Sequence, residues 1–345
     1  MNCEEEMMID KKQHRSLLFY ILIAATALLT SCTTVSPPPS LEVDQQTALL
    51  KKADGFLAAG QTEEAIDLFK KVLKKNRLNL NASIKIAQAY LQKSEYRGAL
   101  PHLETAYNQA PKDSEVLFML GQTNRGLKDY SKALFFYEAA QAIEPSSKGY
   151  QAIAWTLYKM RSYNEAYKAS RKALEAKPND IDNIIVAARI FTKVRKFKSA
   201  WKILKPSLRG EDEKGPLKAA LRSVAGDLFY ASGKNKEAAI YYLKAIQVDP
   251  FLAGALLGYS KCLLKIGKTE KAKSFLKRAI KSKPDLADPY QLLAQLTEKE
   301  NPLRASKLYA RFYKIARMDP EYLDETRGLK KKIAELKQSS NVAEQ

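Results

Sequence analysis

Acid–base and nucleophilic chemistry would show first in histidine and cysteine, and this chain has few of either: His14 and His102, with Cys3, Cys32 and Cys262. Several of these lie in an N-terminal segment of a recognisable kind. Lys11, Lys12 and Arg15 are followed by an apolar run from Leu17 to Leu29, then Thr30, Ser31 and Cys32. The run is shorter than the roughly 20 apolar residues that cross a bilayer. With bases before it and small residues after it, it has the proportions of a secretory signal peptide. Loss of residues 1–31 leaves His102 as the sole histidine. A Ser-His-Asp or Cys-His unit would need it, yet it follows Pro101 in a helical pattern with no nucleophile motif nearby. One histidine and one spare thiol exclude a histidine-rich metal site. There is no glycine-rich phosphate loop, and the acidic residues fall at ordinary helix-surface spacing. The expectation is a protein that is not an enzyme, with no catalytic residue, no metal and no cofactor.

The residues Leu29-Thr30-Ser31-Cys32 resemble the bacterial lipobox of leucine, two small residues and cysteine. That resemblance implies that Cys32 becomes the mature N-terminus and carries acyl chains, palmitate among them. Several chains make a stable anchor, since each buried methylene contributes about 0.8 kcal/mol. Thr33 in place of aspartate resembles the pattern sent to the outer membrane, which implies a lipid-anchored protein of the cell envelope facing the periplasm. Residues 32–45 then read as the lipidated cysteine and a proline-rich tether, with Pro37, Pro38 and Pro39 at its centre. Glu4, Glu5, Glu6 and Asp10 are out of place in such a leader, and a start at Met7 or Met8 would remove most of them.

Export also changes what the charge means. The chain has 58 basic and 38 acidic residues, a formal net charge of +20. Without residues 1–31 the balance is 55 to 34, or +21. So basic a protein is drawn to acidic surfaces, but an exported chain without a recognition motif is not expected to bind nucleic acid. Anionic lipid, lipopolysaccharide phosphates or acidic envelope proteins are the partners that the charge suggests. The lysine clusters Lys70, Lys71, Lys74, Lys75 and Lys273, Lys277, Lys281, Lys283 read most simply as a solvated helix face. Cys262 has no cysteine left to pair with, and sits among Leu256, Leu257, Tyr259, Leu263 and Leu264 as a packing residue.

The elements that would position a site come from repetition. A short phrase ending in alanine recurs at Ala65, Ala99, Ala133, Ala166, Ala200, Ala238, Ala272 and Ala305, spaced by 34, 34, 33, 34, 38, 34 and 33 residues. Twelve residues before it stands a small residue: Ala53, Ala87, Gly121, Ala154, Ala188, Gly226 and Ser260. Seven residues after it come Ala106, Ala140, Ala173, Ala245 and Ala279, and twelve after it Pro111, Pro145, Pro178, Pro250 and Pro284. Small residues permit close helix crossings, and proline stops the second helix of each unit. Large apolar residues flank these positions, including Phe56, Tyr90, Phe191 and Phe229 on the first helix.

This pattern resembles the tetratricopeptide repeat (TPR) over roughly residues 46–320. The resemblance implies an all-α TPR solenoid, a right-handed superhelix of helix-turn-helix units with a C-terminal capping helix. Five repeats are expected over 46–214, an insertion at 215–218, three repeats over 219–320, and a capping helix and tail over 321–345, with the last helix from about 321 to 337. Arg77 and Asp212 depart from the proline position, and the last unit is irregular, its second helix extended towards Pro320.

In such proteins the concave surface, lined by the first helices, takes a peptide or a helix of a partner. The matching positions give a candidate groove of Gln88, Gln122, Arg125, Trp155, Tyr158, Arg189, Tyr230 and Lys261. Trp155, Tyr158 and Arg189 are the foremost anchors, because these residue types dominate interface hot spots. Trp155 and Tyr158 would equally suit packing between neighbouring helices. The functional expectation is a membrane-anchored scaffold that assembles an envelope complex, such as pilus and secretin, outer-membrane protein or peptidoglycan machinery. The alternative is an envelope-binding protein that recognises anionic glycolipid or polymer through its basic face.

Overall fold

The computed structural model describes residues 41–209 and 215–343. The signal peptide, Cys32 and most of the tether lie outside the described residues. All regular elements among the described residues are helical. The described residues divide into two compact units, one ending at Val72 and the other starting at Leu73.

The first unit contains α1 (Leu41–Ala58) and most of α2 (Thr62–Lys75). Helix α1 begins inside the segment expected to be a tether. Between Pro39 and Gly55 no proline or glycine interrupts the chain, so nothing prevents a helix from Leu41 onward. In α2, Glu63 and Glu64 occupy the first turn and Lys74 and Lys75 the last, which complements the helix dipole at both ends. Ala53, Ala65, Ile66, Phe69 and Val72 are buried.

The second unit is a series of helix pairs: α3 (Leu80–Gln92) with α4 (Tyr96–Gln109), α5 (Ser114–Gly126) with α6 (Tyr130–Ile143), and α7 (Ser147–Lys159) with α8 (Tyr163–Ala176). There follow α9 (Ile181–Lys193) with α10 (Phe197–Ser207), α11 (Pro216–Ala231) with α12 (Asn235–Val248), α13 (Ala253–Lys265) with α14 (Thr269–Ser282), and α15 (Asp288–Thr297) with α16 (Pro302–Ala316). Each pair packs on itself and on the next, the arrangement of a solenoid in which no unit buries its apolar face alone. All eight phrase alanines are fully buried. At Gly121 and Gly226 the first helix faces a second-helix aromatic, where a Cβ would come within 2.6 Å of the Tyr137 and Tyr242 rings respectively. Tyr137 and Tyr242 are among the largest fully buried side chains, and burial of such a side chain contributes about 1.5–3 kcal/mol.

Four of the first helices are capped by side chains: Asn79, Asp113, Ser146 and Asp180 each accept a backbone N–H from the first turn that follows. The turn to the second helix rests on a left-handed residue. Gly60, Ser94, Lys128, Arg161, Arg195, Gly233 and Gly267 all have positive φ, between 58° and 82°. Each stands five residues before a phrase alanine. At Ser94, for example, the Ser94 N–H donates to Leu91 O (3.0 Å) and the Glu95 N–H to Tyr90 O (2.9 Å), the paired bonds of a Schellman motif.

Two boundaries differ from expectation. Pro216, Leu217 and Lys218, expected as an insertion, form the first turn of α11, with Pro216 at a position that suits its missing N–H. At the other end α16 stops at Ala316 rather than reaching Pro320. A 3₁₀ turn (Pro320–Tyr322) and a short α17 (Leu323–Thr326) follow. Gly328, at φ 71°, then allows the reversal into α18 (Leu329–Ala343), which packs back on α16. The expected single capping helix is therefore broken by Asp319-Pro320 and by Gly328.

Candidate functional site

A cavity of about 580 Å³ opens along the first helices α7, α9, α11 and α13 and reaches the start of α15. Tyr158, Arg189, Tyr230 and Lys261 from the sequence-derived strip line it. They alternate between two positions of the repeat, four and one residues beyond the small residue of each first helix, and both positions face one space. Trp155 is not part of the lining. It stacks on Tyr158, ring centroids 5.1 Å apart and planes within 8°. The Arg189 guanidinium and Lys159 Nζ each stand 5.9 Å from its ring centroid: Trp155 packs behind the lining, and Tyr158 faces the cavity. Gln88, Gln122 and Arg125, on α3 and α5, are not among its lining residues. Gln88 donates to Glu115 Oε1 at 2.8 Å, Arg125 lies 6.0 Å from the Tyr137 ring centroid, and Gln122 is half-buried on α5.

Residues outside the candidate list complete the lining: Thr192, Lys193, Arg195, Asp227, Tyr242 and Asp288 among them. Asp227 is the most unusual. Burial pushes its carboxyl above the ordinary range, while Arg189, a hydrogen bond from the Tyr242 hydroxyl and Lys261 pull the other way. That hydroxyl donates to Asp227 Oδ1 at 2.8 Å, and its own pKa is raised by burial and by the carboxylate beside it. Lys261 Nζ donates to Asp288 Oδ2 at 3.1 Å. Tyr242 and Asp288 carry no sequence signal of a site, since one occupies a packing position and the other a helix start.

Polar atoms around the cavity are not all satisfied. Arg189 Nε and Thr192 Oγ1 are buried and find no hydrogen-bond partner among the described residues. Leaving such groups unpaired costs about 1–3 kcal/mol each, and an entering carbonyl or carboxylate would relieve the guanidinium. Tyr137, near Arg125, has the same condition at its hydroxyl, whose pKa burial pushes up to about 12. The arrangement suits recognition of a ligand with hydrogen-bond acceptors and apolar or aromatic parts.

The thiol and the imidazole of the described residues lie outside this lining. Cys262 is buried, and burial together with Asp227 pushes its thiol up to about 11, away from the reactive thiolate. His102 stacks against Tyr90, centroids 6.0 Å apart. Among the described residues no group of three or more His, Cys, Asp or Glu is placed to hold a metal ion. The lysine clusters are not uniformly solvated: Lys273 is buried and donates to both carboxylate oxygens of Glu300, at 2.7 and 3.0 Å.

Profiles of the tetratricopeptide repeat match residues 50–96, 84–148 and 229–296, and between them residues 126–207 match the profile of anaphase-promoting complex, cyclosome, subunit 3. The chain is a tetratricopeptide-repeat protein. Among curated proteins, this TPR chain is 26% identical over 125 residues to tetratricopeptide repeat protein 21A of Mus musculus. The match takes in 34% of this chain and 10% of that protein, so the two share a stretch of repeats and not a whole architecture. Among solved structures, a tetratricopeptide repeat protein from Parabacteroides merdae superposes with a TM-score of 0.65 at 19% identity, covering 74% of this chain and 99% of that one. PilW, described as a widely conserved type IV pilus biogenesis factor, gives a TM-score of 0.50 at 21% identity over 62% of this chain and 98% of its own. At these identities the likeness is one of TPR fold. Among the described residues no helix of the TPR protein is long and apolar enough to cross a membrane.

Proposed function

We propose that this TPR protein is a lipid-anchored scaffold of the bacterial envelope that receives a peptide or helix of another envelope protein in the cavity along α7, α9, α11 and α13. One observation carries the binding half of this reading. The cavity joins Tyr158 and Tyr230 to Arg189 Nε and Thr192 Oγ1, which have no hydrogen-bond partner among the described residues. A peptide supplies what such a lining lacks, carbonyl acceptors along its backbone and apolar side chains between them. The anchoring half rests on the lipobox-like Leu29-Thr30-Ser31-Cys32 and on the leader that precedes it. Assembly of a pilus is one such role, and the fold is similar to that of a pilus biogenesis factor.

A photo-crosslinking residue in place of Tyr158, used in cells, tests the binding half. One defined protein should be captured, and Arg189→Ala should abolish the capture. Recovery of lipid or polysaccharide alone would sink the scaffold reading in favour of a basic surface for anionic polymers. Labelling with a radioactive fatty acid tests the anchor independently: label should enter the chain and be lost on Cys32→Ser.

A further inference from the structure

The basic groups at the turn ends of the third and fourth repeats are paired across more than 160 residues of sequence, with the segment that follows α16. Asp319 is only 5% exposed. Its Oδ2 lies 3.9 Å from both Lys128 Nζ and Lys159 Nζ, and accepts a hydrogen bond from the Tyr130 hydroxyl at 3.4 Å. Lys159 Nζ donates to Glu321 Oε2 at 2.7 Å, and Arg161 Nη1 to Asp324 Oδ2 at 3.3 Å. Lys128 Nζ also donates to Ile315 O at 2.9 Å, at the carbonyl end of α16.

The segment is shaped for this contact. Asp319 Oδ1 accepts the Glu321 N–H at 3.1 Å and so caps the 3₁₀ turn that sets the two acids side by side. The Tyr322 hydroxyl donates to Asp288 Oδ1 at 2.6 Å, and Asp288 lines the cavity. Its ring meets Phe312 edge-on, 5.8 Å between centroids. The apolar residues on either side stay in solvent, with Met318 70% and Leu323 55% exposed. The Tyr322 ring fixes the segment on α16, while charge and hydrogen bonds hold its acids to the rim, an attachment that salt weakens and a competitor of the same charge can replace.

We propose that Lys128, Tyr130, Lys159 and Arg161 form a docking rim for an acidic segment of a partner protein. Residues 319–324 are its intramolecular stand-in, which the partner displaces. The partner segment carries carboxylates two and five residues apart around a short turn, as Asp319, Glu321 and Asp324 do. The proposal rests on the reading of the chain as a protein-binding scaffold and names a second contact for it, beside the cavity.

The test measures binding of a fluorescent peptide spanning residues 317–326 to the full-length chain in detergent. The chain with Asp319→Asn and Glu321→Gln, its own segment loosened, should bind the peptide about tenfold or more tighter than the unaltered chain, a difference of about 1.4 kcal/mol. Adding Lys128→Ala and Lys159→Ala to the loosened chain should abolish binding. A peptide with the same two neutralisations should not bind. Circular dichroism melting checks that each variant is folded. As a second arm, a loosened chain with Lys159→Glu should recover binding to a peptide carrying Glu321→Lys. Equal binding by unaltered and loosened chains overturns the proposal, as does binding that survives loss of both lysines or no recovery in the charge swap. Capture from Tyr158 in cells reads the cavity separately, so either reading can fail while the other stands.

Discussion

Repeats three and four and repeats six and seven make the same turn from different residues. In repeats six and seven the left-handed position is Gly233 or Gly267, which adopt φ of 82° and 72° without a steric penalty. In repeats three and four it is Lys128 or Arg161, both at φ 65°, where an L-residue costs roughly 1–2 kcal/mol. The polar groups differ in the same way. Repeats six and seven pair with close neighbours: Tyr242 with Asp227, Lys261 with Asp288 and Lys273 with Glu300. Repeats three and four send Lys128, Lys159 and Arg161 to the distant segment 315–324. In repeats three and four the strained turn residue carries a side chain that reaches the distant segment, and in repeats six and seven glycine removes both the strain and the side chain.

The largest effect that would break this comparison comes from Lys159→Glu. The new carboxylate would face Asp319 and Glu321 from a side chain now 21% exposed. Opening of the segment should become easier by about 2–3 kcal/mol, below the roughly 3–5 kcal/mol of a fully buried pair because Lys159 and Glu321 are partly exposed. Amide exchange over residues 319–326 should rise accordingly, while α13 and α14 keep their protection. Lys261→Ala is the matched change in repeat seven. It should cost about 1 kcal/mol or less, since Asp288 keeps its hydrogen bond from Tyr322. Equal losses would mean that near and distant pairings are energetically alike.

The two regions were not equally legible in the sequence. The repeat register was open to reading because close helix crossings demand small residues, and Ala99, Ala166 and Ala238 recur at a spacing that chance does not produce. Tyr158, Arg189, Tyr230 and Lys261 followed from that register, since the two positions one and four residues beyond the small residue of successive first helices face one space. Gln88, Gln122 and Arg125 hold the same two positions in earlier repeats but fall outside the cavity lining, because spacing gives the face of a helix and not where the array leaves room. The segment 315–324 had no signal at all. Lys159 and Glu321 lie 162 residues apart, outside any period. The left-handed turn did leave one: Gly60, Gly233 and Gly267 stand in register with Ser94, Lys128, Arg161 and Arg195.

A smaller effect sharpens the account of repeat six, whose carboxylate is satisfied from within. Burial holds the Asp227 carboxyl above its ordinary range, whereas in the unfolded chain it titrates near pH ~4. Between those two values the unfolded state has released a proton that the folded state retains. Stability from this group is therefore complete below about pH 4 and declines as pH rises through the raised folded value. Asp227→Asn keeps an acceptor for the Tyr242 hydroxyl and removes that decline. It should gain roughly 1–2 kcal/mol at neutral pH, the cost of an imperfectly compensated buried charge. Urea unfolding of both chains at pH 4 and pH 7.5 checks this, and an unchanged difference between the two pH values would place the slope elsewhere. The Cys262 thiol, raised partly by Asp227, should also titrate lower in the variant.

The smallest effect separates the two kinds of turn most directly. Arg195 has φ 60°, and its guanidinium lies 5.9 Å from the ring centroid of Phe197, its neighbour at the start of α10. Arg195→Gly should relieve the turn and stabilise the fold by about 0.5–1 kcal/mol, the gain being limited by the extra freedom glycine gives the unfolded chain. Lys128→Gly relieves an equivalent turn and loses the contacts to Asp319 and to Ile315 O, so its net change should be near zero or unfavourable. Measured melting temperatures of the two variants should move apart, with Arg195→Gly the higher. If Lys128→Gly stabilises as much as Arg195→Gly, the side chain of Lys128 contributes nothing to holding the segment, and the strained rim of repeats three and four needs another explanation.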